Sequence, residues 1–195
     1  MNLELAGYYR ITATNKDTLE ERVLADWFPN LITNNGLDLI NQGKPDMTRY
    51  CYVGSGSTAP TVNDSGLQNK IATATGETTF STASAQATAP YYGYATRSWT
   101  FAPGEAVGNL SEVGCGKDAL GVNIFSRSLI TDALGNPITI TVLADDYLTI
   151  TYELRCYPPL EDSVSTVDIA GVATECTVRA AAVTSGSRWG FYQYG

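Results

Sequence analysis

Between residues 145 and 156 the chain alternates strictly. Leu148, Ile150, Tyr152 and Leu154 fall on one side, and Tyr147, Thr149, Thr151, Glu153 and Arg155 on the other. Successive side chains of an extended strand point to opposite faces, so this pattern predicts a strand with one face buried. Residues 138–143 repeat it, with Ile138, Ile140 and Val142 set against Thr139 and Thr141, and the short Ala144-Asp145-Asp146 connection predicts a hairpin. Residues 123–131 precede them across Asp132-Ala-Leu-Gly-Asn-Pro137, whose Gly135-Asn136-Pro137 reads as a turn. The expectation is an antiparallel meander of three consecutive strands.

Upstream, residues 7–14 and 22–28 read as paired strands joined by the polar turn Asn15-Lys16-Asp17, with Pro29 ending the second because it has no N–H for a ladder. Residues 33–41 form the one convincing helix. Leu37, Ile40 and Leu39 share a side, Thr33, Asn34 and Asn35 are capping candidates, and Gly43 is a stop. Further strands are expected at 49–53, 91–101, 109–113, 163–169, 175–183 and 188–194. Many short strands punctuated by Gly and Pro predict a mainly β fold, an antiparallel β-sandwich or distorted barrel with one short helix near 33–41. Pro158-Pro159 is the best internal boundary. It divides a sandwich domain, 1–157, from a C-terminal β extension, 158–195, that is part of the same domain or an assembly contact.

Charge narrows the function. The chain has 12 Lys+Arg against 20 Asp+Glu, a formal charge of −8, and no histidine. Twelve scattered cations do not make the basic stripe that phosphate binding needs, so direct nucleic-acid binding is not expected. Without histidine the commonest general base and zinc ligand are missing. Charged residues make up 16% of the chain, below the ~25% of an average soluble domain. Thr and Ser take their place, notably over residues 71–89, IATATGETTFSTASAQATA, which suits a surface covered by other subunits or exposed outside the cell. Residues 1–10 lack the basic segment and apolar core of a secretory signal, and no apolar run approaches the ~18 residues that span a bilayer. Cys51, Cys115, Cys156 and Cys176 form no C-x-x-C pair and read as free buried thiols, although spacing leaves a Cys156–Cys176 disulfide open.

Residues 53–59, Val-Gly-Ser-Gly-Ser-Thr-Ala, superficially match a dinucleotide fingerprint. Pro60 and the polar stretch after it supply no helix to receive a pyrophosphate, so the segment reads as a flexible surface loop. Gly116-Lys117 is followed by Asp118 where a phosphate loop needs Ser or Thr. Neither a cofactor site nor a metal site is expected. Carboxylates leave one catalytic possibility: Asp132, Asp145, Asp146, Asp162 and Asp168 could supply the paired acids of a glycosidase from loop ends, against the plainer reading of turn residues. Tyr50, Tyr52, Tyr91, Tyr92, Tyr94 and Trp99 are read first as packing, then as an intersubunit contact, then as a sugar platform. The terminal Arg188, Trp189, Phe191, Tyr192 and Tyr194 are the candidate assembly contact.

Four segments carry a resemblance. Trp27-Phe-Pro-Asn-Leu-Ile-Thr-Asn-Asn-Gly-Leu37, Tyr50-Cys-Tyr-Val-Gly-Ser-Gly-Ser-Thr-Ala-Pro60, Phe125-Ser-Arg-Ser-Leu-Ile130 and the run from Ile138 to Leu154 resemble a family of structural proteins from tailed double-stranded DNA bacteriophages. The resemblance covers roughly Tyr8 to Arg155 and stops before Pro158. It implies a non-enzymatic virion component of the tail or neck, made in the bacterial cytoplasm, with no catalytic residues to carry over. The leading expectation is a homo-oligomeric tail, collar or baseplate protein that joins other phage tail or neck proteins and links the tail to fibres or spikes. A receptor-binding or capsid-decorating module is the alternative, and a polysaccharide depolymerase the third.

Overall fold

The segment with the clearest alternation becomes the centre of a sheet. The computed structural model describes residues 4–43, 46–75, 81–85, 87–159 and 161–179. Its strands are β1 (Glu4–Asn15), β2 (Glu21–Pro29), β3 (Leu31–Ile32), β4 (Tyr50–Gly54), β5 (Lys70–Thr75), β6 (Ser81–Ala85), β7 (Tyr92–Phe101), β8 (Gly108–Leu110) and β9 (Glu112–Gly116). They continue with β10 (Ile124–Leu129), β11 (Ile140–Val142), β12 (Asp146–Tyr157), β13 (Ser163–Ile169) and β14 (Val172–Val178), and α1 spans Asn34–Asn41. One five-stranded sheet runs β2-β1-β12-β7-β6 and a second runs β3-β10-β9-β4-β5, while β8 pairs with β11 and β13 with β14. Every pairing is antiparallel. The fold is mainly β, and the two large sheets pack as a sandwich without closing into a barrel.

The core is the meeting of two alternating patterns. On β12, Leu148, Ile150, Tyr152 and Leu154 are buried, and register sets Ile150 beside Ile11 of β1 and Trp99 of β7, with Leu148 beside Ala13 and Phe101. The opposite sheet supplies Cys51, Val53, Val113, Cys115 and Phe125 to the same cluster. Between the sheets the Tyr9 and Ser126 hydroxyls lie 2.8 Å apart, and Phe125 meets Tyr152 edge-on. Burial of these large apolar side chains supplies most of the drive to fold.

The β1–β2 hairpin and the helix follow the sequence reading. Thr33 is the N-cap, accepting from the Gly36 N–H at 3.0 Å while donating to the Ile124 carbonyl at 2.6 Å, so one hydroxyl starts the helix and ties it to β10. Gly36 is required by close approach, because a Cβ there would lie 2.2 Å from the Phe125 carbonyl oxygen. Gly43, with φ of +59°, follows the C-cap residue Gln42. Leu37, expected on the buried side, is instead exposed, and Gly36 takes the contact position.

The expected meander does not form. Residues 130–138 do turn back on themselves, with the Ile138 N–H bonded to the Ile130 carbonyl at 2.8 Å and a single bridge between Thr131 and Pro137. Beyond that, β10 pairs with β9 and β3, β11 with β8, and β12 with β1 and β7. The reason is length: β11 has three residues, whereas β1 matches all twelve residues of β12. Residues 143–146 therefore turn the chain from one pair into another sheet rather than closing a hairpin. The strand expected at 109–113 splits at Ser111 into β8 and β9, and the Thr/Ser-rich run contains two edge strands, β5 and β6, that its composition concealed. Among the described residues both large sheets are built within 4–157, and β13 and β14 pair only with each other.

Candidate functional site

The outer face of the second sheet is occupied by the chain's own loop. Glu112 and Gly54 are register partners, and their neighbours on that face are Gly114, Arg127 and Tyr52. Glu112 is fully buried and Arg127 is 3% exposed. The carboxylate accepts from the backbone N–H groups of Gly56 at 2.9 Å, Gln68 at 3.0 Å and Asn69 at 2.7 Å, and from Arg127 Nε at 3.0 Å and Nη2 at 2.8 Å. Arg127 also donates from Nη1 to Asp64 at 2.7 Å and from Nη2 to the Thr58 carbonyl at 3.1 Å. Arg127 and Asp64 hold each other: burial raises the Asp64 carboxyl, but hydrogen bonds from Arg127 and Thr61 outweigh it and bring it below its usual range. The segment read as a flexible surface loop is thus a clamped lid, with Gly54 and Gly56 buried at positions where a Cβ would strike the Glu112 carboxylate or the Asn69 carbonyl. A buried pair with every oxygen engaged is a structural fastener.

Among the described residues no such lid covers the outer face of the first sheet. Its side chains come from alternate positions of β1, β12, β7 and β6. Cross-strand hydroxyls pair along it: Thr100 with Thr149 at 3.3 Å, Ser98 with Thr151 at 3.1 Å, and Ser81 with Thr96 at 2.8 Å. At one end stands an aromatic group around Arg155. The guanidinium carbon lies 4.1 Å from the Tyr8 ring centroid and 4.6 Å from that of Tyr92, within cation–π range. Tyr92 packs on Tyr94 at 5.8 Å and on Tyr157 at 5.2 Å, and Arg155 Nε donates to Glu153 at 2.6 Å. Partial burial opposes the Arg155 charge, yet Tyr157 and Glu153 hold it more firmly protonated than usual. Burial also raises the Tyr8 and Tyr92 hydroxyls. The face is therefore hydroxyl-rich and ends in rings whose π-faces already hold a cation.

The other expected site residues are placed as follows. Tyr52 and Trp99 are buried packing residues: the Tyr52 hydroxyl donates to the Asp118 carbonyl, and Trp99 Nε1 donates to the Arg49 carbonyl at 3.0 Å. Tyr50 and Tyr91 are half-buried. Asp132 accepts from the Leu134 and Asn136 N–H groups, both at 2.9 Å, and those bonds depress its carboxyl, Asn136 contributing most. Asp145 pairs with Lys16 at 2.5 Å, and the buried Asp146 pairs with Arg22 at 2.5 Å and caps Leu143. Asp162 lies 3.3 Å from Arg179, and Asp168 accepts from Gly171 in the β13–β14 turn. Apart from the chain neighbours Asp145 and Asp146, each carboxylate serves a separate turn or ion pair.

Cys51 and Cys115 are buried register partners whose thiols burial pushes up, Cys115 to about 11, so both resist ionisation. Cys156 and Cys176 are free as well, but Cys156 is half-buried and Cys176 exposed, against the expectation of buried thiols. The candidate contact of Arg188, Trp189, Phe191, Tyr192 and Tyr194 lies outside the described residues, as does the strand expected there. Among the described residues no cluster of three or more metal-ligating side chains occurs, and no helix is long and apolar enough to cross a membrane. Compared with protein-family models, characterised proteins and solved structures, the chain gives no match.

Proposed function

We propose that the chain is a non-enzymatic structural protein of a tailed-bacteriophage virion, a tail, collar or baseplate component that assembles as a homo-oligomer and connects the tail to fibres or spikes. The observation that carries the reading is the open face of the first sheet. Its hydroxyl pairs satisfy one another across β12 and β7, and its two guanidiniums are paired, Arg155 with Glu153 beneath tyrosines and Arg10 with Asp26 at 3.4 Å. Such a surface can be covered by a neighbour without stranding a charge, which a strongly charged face cannot. The sequence resemblance over Tyr8 to Arg155 points to the same class.

The test is incorporation into particles. Antibody labelling of purified virions should place the chain on the tail, and deleting residues 187–195 should leave a soluble protein that fails to enter particles. Single Asp→Asn changes at Asp132, Asp145, Asp146, Asp162 and Asp168 should leave infectivity intact. Loss of infectivity from one such change, with normal assembly, would favour the depolymerase. The group of Tyr8, Tyr92, Tyr94 and Tyr157 favours a receptor-binding module as the second reading, and adsorption of the isolated protein to host cells would establish it.

A further inference from the structure

Inside the sandwich, register brings two thiols face to face. Cys51 of β4 and Cys115 of β9 are direct partners in an antiparallel pair, although they come from distant parts of the chain. Directly opposite residues of such a pair point to the same face, and here that face is the core: both cysteines are fully buried in the cluster between the sheets. Neither thiol is committed to a strong partner. Cys115 Sγ lies 3.3 Å from the Ser126 hydroxyl, which also has the Tyr9 hydroxyl at 2.8 Å, and Cys51 Sγ reaches only the Tyr52 carbonyl, at 4.0 Å. The pair that sequence spacing left open is a different one. Cys156 faces Leu5 and Gly93 across its ladders, whereas Cys176 faces Ser165, so those two share no register.

We propose that Cys51 and Cys115 are an oxidation site, closing a disulfide between β4 and β9 when the chain meets a disulfide oxidant. The inference goes beyond the proposed function and stands without it. Facing residues of an antiparallel pair have Cα atoms ~4.5 or ~5.5 Å apart, and both separations fall within the ~4.4–6.8 Å that a disulfide spans. Closure brings the sulfurs from contact to about 2.05 Å and removes two hydrogens, so it asks for no extra room in the core. With glutathione disulfide as the oxidant, one protein thiolate attacks a glutathione sulfur and expels one glutathione thiolate, leaving a mixed disulfide. The second protein thiolate attacks the protein sulfur of that bond and expels the other. The two protein thiols are oxidised by two electrons, the oxidant is reduced to two glutathione thiols, and the two protons pass to them. A glutathione adduct does not fit a close-packed interior, and burial holds both thiols protonated, so the exchange runs while the sheet is forming or locally open. The bond joins two inner strands of the second sheet, and its ring from residue 51 to 115 takes in β6 and β7 of the first. A ring that long strongly restricts the unfolded chain.

The test uses the full chain carrying Cys156→Ser and Cys176→Ser, which leaves only the facing pair. Refolded from urea with excess glutathione disulfide, it should lose both thiols together, weigh two hydrogens less and carry no glutathione. Its thermal midpoint should stand roughly 5–15 °C above that of the reduced chain. The folded, reduced chain should oxidise faster as urea is raised towards its midpoint. The alkaline limb gives an independent readout. The raised thiols contribute stability that is complete below about pH 9 and lost towards pH 11, whereas a disulfide has nothing to titrate. The urea midpoint of the oxidised chain should therefore fall less over that interval. If the double variant does not fold, wild type alkylated at Cys156 and Cys176 in the native state takes its place. Free thiols after refolding, glutathione left on Cys51 or Cys115, or a disulfide form with a lower midpoint and altered circular dichroism would overturn the proposal. All three are read on the isolated chain, so failure here leaves the proposed function to stand or fall on virion incorporation.

Discussion

Glu112 and Arg127 show how much one pair can organise. Neither residue stood out in the sequence, where Glu112 follows Ser111 and Arg127 sits between two serines in an ordinary strand run. The structure buries both and closes a fifteen-residue loop over them through bonds to Gly56, Gln68, Asn69, Asp64 and Thr58. Removing one member of a buried pair leaves an uncompensated charge, which costs far more than the pair contributes in net stability. Arg127→Ala is expected to lower stability by about 3–5 kcal/mol, read as a shift of the urea midpoint, and to open residues 55–69 to protease. A loss under about 1 kcal/mol would mean that water reaches Glu112 and solvates it.

At the scale of the element, β12 is the strand on which the first sheet depends. It pairs along its whole length with β1 and over Leu148–Cys156 with β7, and its inward row is sealed while Thr149 and Thr151 stand on the open face. Ile150→Asp should abolish folding, because an unpaired carboxylate in the core costs several kcal/mol against a net stability of roughly 5–15 kcal/mol. Thr149→Asp loses one hydroxyl contact with Thr100 and should shift stability by about 1 kcal/mol or less. Circular dichroism and thermal melting of the two variants decide the point. Equal damage would show that the open face is covered within the chain. The helix teaches the converse lesson: Thr33 and Gly43 marked its ends in the sequence, but its buried side is set by contact of Gly36 with the Phe125 carbonyl rather than by Leu37.

For the molecule as a whole, the core between the sheets is unusually rich in weak acids. Tyr9, Tyr152, Cys51 and Cys115 all lie in it, and burial raises all four, Cys115 to about 11. In the unfolded chain the same groups ionise near 9.0 for the thiols and 10.0 for the phenols. A raised folded value makes the native state hold its protons longer, so this stability is complete below the unfolded pKa and is lost as pH rises through the folded one. Urea midpoints should therefore hold steady to about pH 9 and fall steeply towards pH 11. Cys115→Ala should start lower, having left a cavity, but decline less over that interval. A flat profile to pH 11 would show that these groups ionise without unfolding the sandwich.

Alternation, turn residues and caps were legible because each is a local property. They determined that the chain is mainly β, that residues 7–14 and 22–28 are paired strands, that 145–156 holds a half-buried strand and that a short helix lies near 33–41, each within a few residues of the observed bounds. Pairing is not local. Which strand lies beside β12 depends on matching twelve residues separated by more than a hundred positions, so the expected meander gave way to β1 and β7. Composition misled where it replaced pattern: the Thr/Ser-rich run hid β5 and β6, since edge strands tolerate small polar side chains on both faces. Burial is likewise decided in three dimensions. Only folding placed Glu112 beneath a loop, distributed the candidate aspartates among separate turns, and brought Tyr8, Tyr92, Tyr157 and Arg155 together from three strands. Strands were legible at 163–169 and near 175, but only the pairing register, with the second strand at Val172–Val178, put both carboxylates of the β13–β14 hairpin on one face.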